Sequence, residues 1–162
     1  MPTKKKTKKK PAARKATKQA AAKKASARPK RKTPENLRLR SAAPGFTVND
    51  LEKSLAFYTG VLGFHVKERW MHEGKLAGVE LVAGVVSFFI GQDDWKKGKD
   101  RVKGVGFRMY CTTVQDIDAL ATLIKARGGK LLEEPKTQSW GTRDFAVADP
   151  DGFKITFSSV MK

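Results

Sequence analysis

An internal repeat runs through most of this chain. Val48, Asp50, Leu51, Tyr58 and Gly63 recur as Val114, Asp116, Ile117, Ile124 and Gly129, each 66 residues later. A period of this length marks a supersecondary unit that needs a second copy to bury its apolar face. Both copies read as strand, helix, strand, strand, strand. In the first, a strand over Leu37–Val48 leads to a helix. Asn49 can cap it, with Glu52 three residues on as in a capping box, and Asp50, at the helix start equivalent to Asp116, also reads as a cap. Leu51, Leu55, Tyr58 and Leu62 share one helical face, and Gly63 ends the helix. Strands follow at Phe64–Trp70, Leu76–Val82 and Val85–Gly91, separated by His72-Glu73-Gly74 and Ala83-Gly84. In the second copy the strand is Gly104–Val114, and Asp116 or Thr113 can cap the helix. Ile117, Leu120, Ala121 and Ile124 form its stripe, and Gly128-Gly129 stops it. The last three strands are Lys130–Glu133, Arg143–Ala148 and Phe153–Ser159, with Asp149-Pro150-Asp151-Gly152 as a strong turn. The expected fold class is α+β: two tandem βαβββ modules, about 37–91 and 104–160, joined by a polar linker at 92–103. Packing them with helices outside would bury a core and curl mixed sheets around a cleft.

The charge is concentrated outside this repeat. Residues 1–34 hold 15 Lys and Arg and no acid, whereas residues 35–162 hold 19 basic and 16 acidic residues. Between Met1 and Pro34 there is no Leu, Ile, Val or aromatic residue. Such a segment cannot offset the entropy of ordering, and disorder is the expectation. A flexible polycation binds polyanions by counterion release with little sequence discrimination. Non-specific association with DNA or RNA is therefore expected through Lys4, Lys5, Lys6, Lys8, Lys9, Lys10, Arg14, Lys15, Lys23, Lys24, Lys30, Arg31 and Lys32. No apolar run reaches the ~20 residues a bilayer span needs, and no apolar segment follows the basic start as in a signal peptide. The lone Cys111 excludes an internal disulfide framework. A cytoplasmic location is expected, with nucleoid association if the tail holds DNA.

Two resemblances sharpen this reading. The interleaved Lys, Ala and Pro of the tail resemble the tails of linker histones and bacterial histone-like proteins. Phe46-Thr-Val-Asn-Asp-Leu-Glu-Lys-Ser-Leu-Ala-Phe-Tyr58, followed by Val61-Leu-Gly-Phe64, resembles the opening of the vicinal oxygen chelate superfamily, the glyoxalase, bleomycin-resistance and extradiol dioxygenase group. Trp140-Gly-Thr-Arg-Asp-Phe145 and Asp149-Pro-Asp-Gly152 resemble its closing segment. The resemblance implies the paired βαβββ fold, and dimers that complete the sites between chains. Its metal enzymes hold a divalent ion through His, Gln or Glu on the first and last strands of each module. Counting from the motifs and the repeat puts those positions at Ala43, Met109, Ile90 and Thr156. None is a good ligand for a hard or borderline cation. No metal and no cofactor is therefore expected, and His65 and His72 fall elsewhere.

Alternation along the strands then predicts the lining of the cleft. Gly45, Thr47, Val86, Phe88, Ile90, Phe107, Met109, Cys111, Lys154, Thr156 and Ser158 would face it, and Phe89, Ile155 and Phe157 would pack under the helices. Cys111 reads as a small buried residue. The expected contacts to a small organic ligand are Phe88, Phe107, Met109, Trp140, Arg143 and Thr156, with Arg143 as a fixed cation near Trp140. This resembles the metal-free drug-binding members, which hold a flat ligand between aromatic side chains. Two alternatives stand beside it. One is a metal-dependent lyase (of the lactoylglutathione type) or dioxygenase. The other is a non-catalytic nucleoid-associated protein.

Overall fold

The computed structural model describes residues 40–160, so the basic tail and every lysine and arginine assigned to it lie outside the described residues. The first module runs β1 (Gly45–Val48), α1 (Leu51–Ala56) with a π-helical turn over Phe57–Val61, β2 (His65–His72), β3 (Lys75–Ala83) and β4 (Val86–Gln92). The second runs β5 (Arg108–Thr112), α2 (Ile117–Ala126), β6 (Leu131–Thr137), β7 (Thr142–Ala148) and β8 (Lys154–Val160). Each module forms one four-stranded mixed sheet, ordered β1-β4-β3-β2 and β5-β8-β7-β6. The first and last strands of each module are parallel neighbours, as the intervening helix requires. The tandem α+β fold is thus the one the repeat implied.

Both helices start at an aspartate. The Asp50 carboxylate accepts from Lys53 N at 3.0 Å, and that of Asp116 accepts from Ala119 N at 2.7 Å. Of the two caps open to the first helix, Asp50 is the one used, and Asn49 bonds elsewhere (below). The helical stripes Leu51–Leu55–Tyr58 and Ile117–Ala121–Ile124 are buried. Each covers one face of its own sheet. Under α1 lie Val48, Val79, Leu81, Phe88 and Ile90; under α2 lie Met109, Cys111, Phe145, Val147, Ile155 and Phe157. The two covered faces merge into a single core. Phe46 joins them, its ring 5.4 Å from Phe107 and 4.4 Å from Phe153.

Two glycines permit this closeness. A Cβ on Gly129 would meet Val61 Cγ1 at 2.7 Å, so a larger residue there would push the modules apart. Gly104 combines φ +71° with a hypothetical Cβ only 2.2 Å from Gly152 O, a position no other residue fits.

The other face of each sheet carries no helix and is open. Gly45, Thr47, Trp70 and Phe89 are exposed on the first, and Tyr110, Thr112 and Lys154 on the second. This corrects the expected placement of several side chains. Phe88 is fully buried between Tyr58 and Phe64, at centroid distances of 5.1 Å from each. Met109, Ile90 and Cys111 also point into the core, and Phe89 points out. The reason is parity. Two residues separate β3 from β4 but five separate β7 from β8, an odd change. The constant 66-residue offset therefore holds for the helices and for β3 and β7, whose Val79 and Leu81 match Phe145 and Val147 in the core, and fails between β4 and β8, where Phe88 and Ile90 match Lys154 and Thr156 on the opposite face. A slip of one residue reverses every side chain in a strand.

Candidate functional site

The first open face is built on glycine. Gly45 pairs with Phe89, and Gly91 lies between Thr47 and Gly78. Three glycines on adjacent strands leave bare backbone, across which Trp70 and Phe89 lean together with centroids 5.6 Å apart. Trp70 lies over Gly78, whose hypothetical Cβ would sit 3.3 Å from its ring. Trp70 is 37 % and Phe89 36 % exposed. A cavity of about 360 Å³ opens there, lined by first-module residues alone. Beside it Glu80 is buried opposite Phe89 and bonded to Lys67 Nζ at 2.9 Å.

The second open face is polar. Arg108 donates to Thr156 Oγ1 at 3.1 Å and to Glu133 Oε1 at 3.0 Å. Tyr110 stands beside Thr156 and is 70 % exposed; Lys154 is exposed on the same face. Asp144 accepts from Gln138 Nε2 at 2.6 Å.

Of the six expected ligand contacts, only Thr156 belongs to the helix-free sheet face, and there it is buried, 4 % exposed, and bonded to Arg108. Phe107 belongs to the core contact between modules, edge-on to Phe153 at 5.5 Å. Trp140, 70 % exposed, sits in the turn between β6 and β7. Arg143 does not serve as a cation near it. It donates from Nε and Nη2 to both Asp118 carboxylate oxygens of α2, each at 2.6 Å. That pairing raises the Arg143 pKa and lowers that of Asp118. Trp70 and Phe89 were missed as a pair. The signal was present in Gly45, Gly78 and Gly91, but only strand registration puts these in one place.

The resemblance implies a divalent ion on the first and last strands, so the donors there can be tested. The open-face positions are Gly45 and Thr47 on β1, Phe89 and Gly91 on β4, Arg108 and Tyr110 on β5, and Lys154 and Thr156 on β8. They offer no imidazole and no carboxylate. Of the acids on neighbouring strands, Glu80 and Glu133 are each paired with a cation, and Asp144 accepts from Gln138. No group of three or more His, Cys, Asp or Glu converges among the described residues. These donors do not fit a hard or borderline divalent ion.

Linking the modules is a polar seam. Asp151 accepts from Asn49 N at 2.7 Å and from Asn49 Nδ2 at 2.6 Å. The Tyr58 hydroxyl donates to Asp149 Oδ2 at 3.1 Å, and Asp149 Oδ1 accepts from Asp151 N and Phe153 N. Burial, reinforced by Asp149, pushes the Tyr58 pKa far up; burial also raises that of Asp149. These groups are structural: the phenol stays protonated and donates. A second node fixes the linker. Buried Asp93 accepts from Lys103 and, at 2.5 Å, from Arg101. The Lys103 bond first, then the Trp95 N–H, holds its pKa down at about 2.

A duplicated βαβββ domain with one aromatic and one polar open sheet face defines the class. The family model of the Glyoxalase/Bleomycin resistance protein/Dioxygenase superfamily matches residues 40–157, and the chain belongs to that superfamily. It is 36 % identical over 117 residues to a probable lactoylglutathione lyase of Synechocystis sp., covering 67 % of this chain and 86 % of that protein. It is 32 % identical over 114 residues to a probable chloroplastic lactoylglutathione lyase of Arabidopsis thaliana, covering 68 % of this chain but only 33 % of the plant protein. Among solved structures, a glyoxalase/bleomycin resistance protein/dioxygenase from Nocardioides superposes with TM-score 0.61 at 16 % identity, covering 78 % and 87 % of the two chains. TioX from Micromonospora sp. ML1 does so with TM-score 0.61 at 18 % identity, covering 75 % and 99 %. At these identities the structures speak for the fold. No described helix is long and apolar enough to cross a membrane.

Proposed function

We propose that this domain binds a flat, partly apolar organic molecule without a metal ion, and that the Trp70–Phe89 platform is the primary contact. The observation that carries this reading is an exposed aromatic pair over a glycine floor. Exposed aromatics lose little side-chain entropy on binding and stack on planar groups. The platform covers only one side of a ligand. The polar face of Arg108 and Tyr110 from a second copy supplies the other side in a homodimer. Thermal-shift screening with planar amphipathic compounds tests this. Stabilisation of several degrees is expected, and it disappears in Trp70→Ala. A hit whose effect survives that substitution overturns the platform.

The names of the curated relatives favour a second reading, a lactoylglutathione lyase activity. The donor positions argue against a metal-assisted version of it. Stoichiometric divalent metal in the purified protein, together with turnover of a thiohemiacetal substrate, would establish it and displace the binding reading.

The tail is proposed to hold nucleic acid non-specifically, on the strength of its 15 basic residues and absent acids. Removing residues 1–34 should abolish DNA retention at moderate salt. Retention by the truncated chain would move that role to the folded domain.

A further inference from the structure

The 66-residue repeat predicts two equivalent seams between the modules, yet only one is closed. At the closed seam Tyr58 meets Asp149 and Asn49 meets Asp151. The residues 66 positions away from these four are Ile124, Ala83, Gln115 and Val85. They offer no matching hydrogen-bond pairs. In place of a polar turn and a ring cluster, the second seam has the short Ala83–Val86 turn facing Thr112–Gln115. It leaves a cavity of about 990 Å³.

We propose that this open seam is a second ligand site, for an amphipathic anion with an apolar body, typified by a medium-chain fatty carboxylate. The cavity reaches the upper end of the ordinary range for small-molecule sites. Its depths are apolar: Leu62, Phe64, Cys111 and Phe157 line it and are otherwise buried. Its rim is mixed, with exposed apolar side chains standing among Thr112, Thr113 and Gln115. Val85 and Val114 are fully exposed, and Leu123 is 43 % exposed. Apolar side chains both inside and around an opening mark a binding surface.

Charge selects the head group. The lining contains no Asp, Glu or Lys, and Arg127 is its one permanent charge. The Arg127 guanidinium lies against Gly63, whose hypothetical Cβ would come within 3.1 Å of Nη1, and it has no acidic partner among the described residues. His65 stands at the same edge. A carboxylate on the rim would find a charge-assisted partner in Arg127. A recess reaching buried side chains suits a small molecule better than a flat protein surface. The site shares no lining residue with the cavity under Trp70.

Cys111 is the chain's single cysteine and lines this cavity, so its alkylation reports occupancy. The full-length protein is treated with iodoacetamide in the presence of decanoate, decanol or decyltrimethylammonium. Decanoate should slow labelling saturably and at lower concentration than either control. Arg127→Ala should weaken the decanoate effect about tenfold, and Leu120→Trp should remove it by filling the recess. Trp70→Ala should leave it unchanged. Because Leu120→Trp can misfold, amide shifts of Thr112–Gln115 in the unmodified protein provide a second measurement, and decanoate should move them. Equal protection by all three amphiphiles, or an undiminished effect in Arg127→Ala, overturns the proposal. Labelling that slows with protein concentration alone also overturns it, in favour of a second copy covering the seam.

Discussion

The two seams between the modules are made from the same repeat and differ in what fills them. On one side a phenol, an amide and two carboxylates close over a ring cluster. On the other, three aliphatic residues and one glutamine at the equivalent positions leave a cavity. Duplication sets the backbone path of both seams. A few substitutions then decide that one holds the modules together while the other stays free to take a ligand.

The closed seam should fail first and most. Phe46→Ala removes the ring that touches Tyr58, Phe88, Phe107 and Phe153. A loss of about 3–4 kcal/mol is expected in urea unfolding. A much smaller loss would mean that the modules are held elsewhere. Tyr58→Phe deletes only the hydroxyl that reaches Asp149, and should cost about 1–2 kcal/mol by the same measurement. A double-mutant cycle on Asn49→Ala and Asp151→Ala should give a coupling of about 1 kcal/mol, since both bonds are part-buried.

The pH dependence separates a further pair of carboxylates. Asp93 titrates at about 2 in the folded chain instead of 3.8, so its contribution is present above pH 3.8 and lost as the pH falls toward 2. Asp149 is shifted upward by burial, so its contribution declines as the pH rises through its raised value. Asp93→Asn should therefore flatten the acid limb of a plot of urea midpoint against pH, and leave the limb above pH 3.8 unbent. The smallest effect belongs to the open seam. Val85→Ser and Val114→Ser, both at fully exposed positions, should change stability by less than about 0.5 kcal/mol while weakening decanoate protection of Cys111.

Much of the fold was legible in the chain. Asp50 and Asp116 at the helix starts, the apolar stripes behind them and the Asp149–Gly152 turn are local signals, and each acts where it stands. The strand faces were not legible in the same way. Phe88 and Lys154 lie 66 residues apart, yet one is in the core and the other is exposed on the helix-free face. The spacing of the helices carried no information about the lengths of the intervening turns. Arg143 was misjudged for a related reason. Its neighbour in sequence is Trp140, but its partner Asp118 lies on a different element.

The sequence by itself determined the duplication, the order of elements, the helix caps and the segregation of charge into the first 34 residues. All of these follow from local composition and from periods that do not depend on partners. Tertiary structure alone decided which side chains look outward, that Trp70 and Phe89 share a glycine floor, and that one seam closes while its twin stays open. Those outcomes depend on strand register and on contacts such as that of Asn49 with Asp151, 102 positions apart. A single residue gained or lost in a turn reverses a face without leaving any mark on the strand's own pattern.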